Sequence, residues 1–308
     1  MKKIMLDRST KTRPNRADES GVLQIRRRRQ ERRSPVTVCI ASIFTWHLTD
    51  GQTELAVLTA SDRMITAADI EYEPSQLKLA FFTSHILGMV AGDYPTHSDA
   101  IGIVKARLQH TTGASVKDVA DMYGQAISEV RRARAAKDIL APLGLTSESF
   151  LLREHEMSPS LVADLVNQLQ THRCENAEAL IVGFSEGRGH IYMVDSVGRV
   201  SCYNDVNFAA IGLGGWHAQS QLMLSKYGTR FGFADSLVAL YRAKKGAEVA
   251  PGVGSQTDMF LINHDGASPV APNNMAALDA QFESYRTARD KLVQDGVKDL
   301  IEHVGKQK

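Results

Sequence analysis

Long apolar runs are missing from this chain. No stretch of its 308 residues approaches the roughly 18 apolar residues of a membrane span, so neither a span nor a membrane partner is expected. The first residues carry lysines but no apolar core followed by small residues, so a secretory signal is not expected. Cysteine is scarce. Cys39, Cys174 and Cys202 stand far apart with no C-x-x-C pair, which fits a reducing, cytoplasmic compartment and argues against a zinc site. No H-E-x-x-H occurs, and His155 and His172 read as solvated surface histidines. Nucleotide-binding glycine patterns are absent as well. Gly212-Leu213-Gly214-Gly215 comes nearest, but it lacks the spacing and the lysine of a phosphate loop. No metal and no organic cofactor is therefore expected.

What is present is uneven in charge. Residues 1–36 hold 12 Lys/Arg and 4 Asp/Glu, which leaves 24 and 31 of the chain's 36 and 35 for the remainder. A basic segment before an acidic body is a composition break, and it predicts a domain boundary near residue 36. The segment has few core-forming residues, and Arg26 to Arg29 with Arg32 and Arg33 form a solvated charge run. Disorder is one reading. Another is a nucleic-acid arm, although no aromatics interleave for stacking on bases, so nucleic acid is an unlikely partner. A third is that the segment is removed, or never translated if Val36 is a GUG start.

Beyond it, the 43% apolar content suits a globular body of roughly 230 residues plus extensions. Residues 36–44 and 54–61 read as β-strands around the turn Thr49-Asp50-Gly51-Gln52. A second strand pair is expected at 76–83 and 85–91, then helices at 96–110 and 115–138, the latter capped by Ser115. Residues 146–172 read as a helical insertion whose second helix opens at Ser158-Pro159. Strands return at 179–184, 190–195, 200–203 and 207–212. Helices at 216–227 and 233–245 follow, then a strand at 258–263. A long amphipathic helix over 274–303 carries Leu278, Phe282, Tyr285 and Leu292. Strands, two helices, strands, two helices and a strand predict an α+β layered sandwich.

Four short patterns, in order, resemble the proteasome β-subunit family of N-terminal-nucleophile hydrolases, including the related bacterial ring peptidases. Thr37-Val38-Cys39-Ile40-Ala41 is similar to the mature first strand. Asp62 with Thr66 is similar to the Asp-x-x-x-Thr that closes the second strand. Lys78 follows Asp62 by 16 residues, and Ala91-Gly92 follows with Gly92 14 residues after Lys78. Ala210-Ile211-Gly212-x-Gly214-Gly215 resembles the turn before the third helix. The resemblance spans about residues 37–263. It implies a four-layer αββα sandwich, with the hydrolase domain at 37–265, the insertion at about 146–172 and a C-terminal helical extension at 266–308.

The resemblance also implies a chemistry. With residues 1–36 gone, Thr37 would supply both a hydroxyl nucleophile and an α-amine as its base. Lys78 would favour the alkoxide, Asp62 would orient Lys78, and the N–H of Gly92 would stabilise an oxyanion. Ser255 would assist, and Thr66 and Val90 would border the substrate. A peptide or protein substrate and a homo-oligomeric ring follow, and an unfoldase partner stays open. Each residue also has a plain structural reading: a strand threonine, a partly buried ion pair, a strand-end glycine and a core valine. The sequence departs from the family at Leu213, where a serine is usual, and at Val36, where self-processing relatives have glycine. A register two residues along would place Pro35 in the nucleophile's position. A catalytically inactive ring or scaffold subunit of the same fold is therefore the alternative to a threonine peptidase.

Overall fold

In β1 (Cys39–His47) both faces of the strand are apolar, and the structure buries both. In this computed structural model the described residues are 37–63, 65–67, 70–72, 79–172 and 177–305. β1 turns through Asp50 and Gly51 into β2 (Thr53–Ser61), in antiparallel register from His47↔Thr53 to Cys39↔Ser61. A small hairpin of β3 (Ile65–Ala67) and β4 (Ile70–Tyr72) follows, then β5 (Leu79–Phe81) and β6 (Ile86–Ala91).

The first helix, α1 (Tyr94–Leu108), starts from an Asp93 N-cap. The second, α2 (Val116–Ala135), starts from a complete capping box between Ser115 and Asp118, which satisfies two of its orphan N–H groups. After it the chain runs through a π-helical turn at 136–140 and a 3-10 turn at 141–143, where the sequence pattern predicts continuous helix to 138. Pro142 has no N–H to continue the ladder, and Gly144 adopts a left-handed conformation that ends it. The insertion forms α3 (Ser147–Arg153) and α4 (Pro159–Thr171), capped by Thr146 and Ser158. It holds its own small cluster around Leu140, Phe150 and Leu165.

The chain returns through β7 (Glu178–Ser185), β8 (Arg188–Val194), β9 (Val200–Cys202) and β10 (Phe208–Ile211). Then come α5 (Gly215–Leu224), α6 (Phe233–Ala247), β11 (Asp258–Asn263), β12 (Gly266–Pro269) and α7 (Pro272–Gly305). Among the described residues there are two five-stranded antiparallel sheets, ordered β10-β1-β2-β11-β12 and β5-β6-β7-β8-β9. The class is thus mixed α and β with antiparallel sheets. The boundary expected at 265 falls inside a hairpin, because the chain folds back at Gly266 and β12 pairs with β11 from Asn263↔Gly266 to Phe260↔Pro269. The helical extension begins only at Pro272.

Alternation sorts the core. Val38, just before β1, and Ile40 and Phe44 on it join α5 and α6 residues such as Leu222 and Leu240 in one apolar cluster. Cys39, Ala41 and Ile43 point the other way and meet Leu87, Met89 and Ala91 of β6 and Leu180 and Val182 of β7 in a second. Ile86 and Val90 of β6 face away from that interface and join Val119, Tyr123 and Ile127 of α2 in a third. Among the described residues no helix is long and apolar enough to cross a membrane.

Leu180→Ala, a fully buried side chain in the second cluster, is expected to cost about 2–5 kcal/mol of unfolding free energy. Leu152→Ala, at a side chain 67% exposed in α3, should stay within about 0.5 kcal/mol. Denaturant midpoints at unchanged m-value measure both, and equal effects would contradict this core.

Candidate active site

Asp62 follows the last residue of β2 and is fully buried. A carboxylate withdrawn from water needs donors on both oxygens, and it has them. Its Oδ1 accepts the Thr37 hydroxyl at 2.5 Å and the Val38 N–H at 3.0 Å. Its Oδ2 accepts the Gly254 N–H at 3.1 Å. The Asp62 N–H in turn donates to the Val38 carbonyl at 3.2 Å. Three separate segments, the start of β1, the end of β2 and the loop before β11, therefore meet at one side chain.

Thr37 is held on its other side by the glycine turn after β10. The Gly214 N–H donates to the Thr37 carbonyl at 3.2 Å. A Cβ at Gly212 would lie 2.4 Å from that carbonyl oxygen, and Gly212 has φ +83°, so glycine is required there twice over. Thr37 is 4% exposed.

The loop that reaches Asp62 is fixed by Lys244 of α6. Its fully buried ammonium donates to Glu248 Oε1 at 2.5 Å, to the Gly254 carbonyl at 2.7 Å and to the Ser255 carbonyl at 3.0 Å. Burial pushes the Lys244 pKa down, and Glu248 and Asp62 oppose that. The sequence carries a signal for this lysine that motif reading passes over. Leu237, Leu240, Tyr241 and Lys244 fall at i, i+3, i+4 and i+7, so a cation occupies the apolar stripe of α6, with Glu248 one turn further on.

The loop's next residue, Ser255, points outward at the rim of a cavity of about 350 Å³ that Arg63, Tyr241 and Asp279 also line. Arg63 forms a two-pronged ion pair with Asp258 at 2.7 and 2.5 Å. The Tyr241 hydroxyl donates to Asp279.

Gly92 sits immediately after β6 with φ +114°. It is linked to Thr37 in two steps. Ala91 pairs with Glu178 of β7, and Glu178 Oε2 accepts the Gly212 N–H at 3.3 Å. The carbonyl of Ala91, which belongs to the same peptide unit as the Gly92 N–H, accepts Nε2–H of His97 at 2.9 Å. That assignment makes His97 Nδ1 the acceptor of the Tyr123 hydroxyl at 2.8 Å. His97 is fully buried, and desolvation drives its pKa below the usual 6.5. This imidazole clamps the peptide that carries the Gly92 N–H, and no sequence motif singles it out.

Other expected residues lie elsewhere. Val90 places its side chain in the cluster with α1 and α2, while its carbonyl accepts the Cys39 thiol at 3.6 Å. Thr66 lies in β3 opposite Glu71. Lys78 and residues 1–36 lie outside the described residues. Leu213 is 43% exposed in the glycine turn and offers no hydroxyl. Among the described residues no group of three or more His, Cys, Asp or Glu is arranged to hold a metal. No family model matches the chain, and no curated protein sequence matches it significantly.

Lys244→Met strands Glu248 and two carbonyls, so it is expected to cost about 2–4 kcal/mol in a denaturant titration. Lys117→Met, at an exposed helix pair, should leave the denaturant midpoint essentially unchanged.

His97 gives a pH prediction. Its folded pKa lies below its unfolded value of 6.5, so the unfolded chain takes up the proton first. Its contribution is complete above pH 6.5 and is lost as pH falls through the folded pKa. Unfolding free energy measured from pH 7.5 downward should therefore fall more steeply in the native chain than in His97→Gln. Parallel slopes would show that His97 is not buried neutral.

Proposed function

We propose that the chain is a threonine-type amide hydrolase of the N-terminal-nucleophile, proteasome-like class, acting on a peptide or protein. The observation that carries this is the Thr37–Asp62 pair: a hydroxyl at the edge of β1, held at 2.5 Å by a fully buried carboxylate that is itself fixed by two backbone N–H groups. The three apolar clusters support a four-layer αββα arrangement, with α5 and α6 outside one sheet and α1 and α2 outside the other.

The reaction on this reading begins with loss of residues 1–36. The freed α-amine of Thr37, with an ordinary pKa of roughly 7.7–8.0, takes the hydroxyl proton near neutral pH. Oγ attacks the amide carbon, and the carbonyl oxygen becomes an oxyanion that the Gly92 N–H would stabilise, as the resemblance implies. A donor of that kind contributes about 3–4 kcal/mol to the transition state. The C–N bond breaks as the amine returns the proton to the leaving nitrogen, and water then hydrolyses the Thr37 ester. Asp62 orients Oγ. Lys78 would add positive charge, as the resemblance implies. A homo-oligomeric ring belongs to the same proposal.

One observation favours a second reading, an inactive scaffold of the same fold. In the uncut chain Thr37 is almost wholly buried, and both its hydroxyl and its carbonyl are engaged by the protein.

The deciding experiment is the intact mass and N-terminal sequence of the untagged protein, followed by assays of chains beginning at Thr37. The hydrolase reading expects a mature Thr37 terminus and hydrolysis of peptide amides that falls by at least about 10³-fold in Thr37→Ala. A native chain that retains residue 36, or activity that survives Thr37→Ala, would leave the scaffold reading.

A further inference from the structure

Helix α7 is 34 residues long, but only its first turns rest on the body. Leu278 is buried, Met275 and Phe282 pack on the cluster of α5 and α6, and the Arg242 guanidinium lies 4.0 Å from the centre of the Tyr285 ring. From Glu283 to Val304 every residue is exposed. At 1.5 Å per residue, the part beyond Tyr285 is more than about 25 Å of helix whose side chains stand exposed. Helical stability in water comes mostly from packing an amphipathic face, and the ion pairs along this stretch, such as Lys298 with Asp295 at 3.8 Å, are exposed and weak.

The stretch is not uniformly polar. Val293, Val297, Leu300 and Val304 follow one another at intervals of four, three and four, and are 50–61% exposed. That is the alternation of a heptad seam. With Val297 and Val304 at its a positions and Leu300 at d, it has the residue choice that favours two parallel strands. Ile301 widens the stripe on one side, and it is 65% exposed. The preceding seam positions are Asp290 and Arg286, so the apolar register starts at Val293.

We infer that this stripe is a homotypic interface, in which the α7 segments of two copies of the chain pair as a short two-stranded coil. Two features identify a second copy as the occupant. The first is charge. The residues flanking the seam are Gln294, Gly296, Ile301 and His303, so identical helices meet without a facing pair of carboxylates or lysines. From Lys291 onward the charged residues lie on the outer positions. Between residues 286 and 305 they number four basic and four acidic, which lacks the cationic face that draws a helix to an anionic membrane.

The second feature is area. Five apolar side chains of the stripe, Val293, Val297, Leu300, Ile301 and Val304, stand half or more exposed. At about 100 Å² each they amount to on the order of 500 Å² per copy, so about 1,000 Å² for the pair before any flanking atoms are counted, the area at which a specific interface begins. The inference is independent of the hydrolase reading, because it is tested by mass and not by turnover.

The experiment is sedimentation equilibrium of the full chain and of a Val297→Asp/Leu300→Asp double variant, across concentrations up to tens of micromolar. The native chain should associate with rising concentration to twice the mass of the variant's largest species. In a second measurement, Leu300→Cys should form a disulfide-linked dimer on mild oxidation in a Cys202→Ser background, whereas Asp299→Cys, on the outer face, should not. Equal masses for native chain and variant would overturn the inference. So would cross-linking at residue 299 as efficient as at 300. Sedimentation of a monomeric native chain, but not of the variant, with vesicles of anionic phospholipid would replace the second copy with a membrane surface.

Discussion

A single buried carboxylate ties the two ends of this fold together. Asp62 is 25 residues from Thr37 and 192 from Gly254, and its two oxygens bind both neighbourhoods. A fully buried carboxyl group must keep the donors it has, because losing one leaves a polar acceptor unsatisfied in a medium of low dielectric constant. The constraint propagates. Gly254 is in place because Lys244 holds its carbonyl, and Lys244 tolerates burial because Glu248 and the Ser255 carbonyl complete its hydrogen bonds. Sheet, loop and α6 are thus coupled through one polar chain that crosses an otherwise apolar body. Lys244 is offset by a specific anion and by carbonyl oxygens, so its burial is stabilised locally and depends little on net charge.

Packing explains why the polar chain can be so precise in position. β1 sits inside its sheet between β10 and β2, and its two faces feed two different apolar clusters. A one-residue slip of β1 would exchange Ile40 and Phe44 for Cys39 and Ile43 across the sheet, and would move Thr37 away from Asp62. The register that buries the core is the same register that brings hydroxyl to carboxylate. On the opposite sheet, β6 repeats the device. Met89 and Ala91 face β1 while Val90 faces α2, and the strand ends at Gly92, where the next peptide is anchored by His97.

Much of this was legible in the residues. Short apolar runs around the turn at Asp50-Gly51 located the central strands, and Ser115, Ser158-Pro159 and the apolar spacing of α1 and α2 located helices within a few residues. The Asp62–Thr37 neighbourhood was legible only as an ordered spacing, since no single residue there is unusual for its type. Three features were less accessible. Lys244 reads as an ordinary surface lysine unless the stripe around it is counted. His97 reads as one histidine among ten, because its burial depends on Tyr123, 26 residues away. The end of α7 reads as a helix that covers either its own core or a neighbour, because amphipathicity states that a face will be covered and does not state by what. Leu278 and Phe282 meet the body, whereas Leu292 does not.

Thr37 itself carries the tension between the two readings. A hydroxyl that donates to a carboxylate at 2.5 Å keeps its lone pairs directed away from that acceptor, a sound orientation for attack on an incoming carbonyl. The same bond also serves a purely structural threonine, which needs an acceptor once it is buried. What separates the cases is the atom on the other side of the residue. In an uncut chain the Thr37 nitrogen is an amide, which has no basic lone pair, and Asp62 would be the proton acceptor nearest to Oγ. That carboxylate accepts two backbone N–H groups as well, so both of its oxygens are already engaged. A geometry so well satisfied does not itself activate a nucleophile. The activating group must be a new one, and a terminal amine at residue 37 is the group that cleavage at that bond would create.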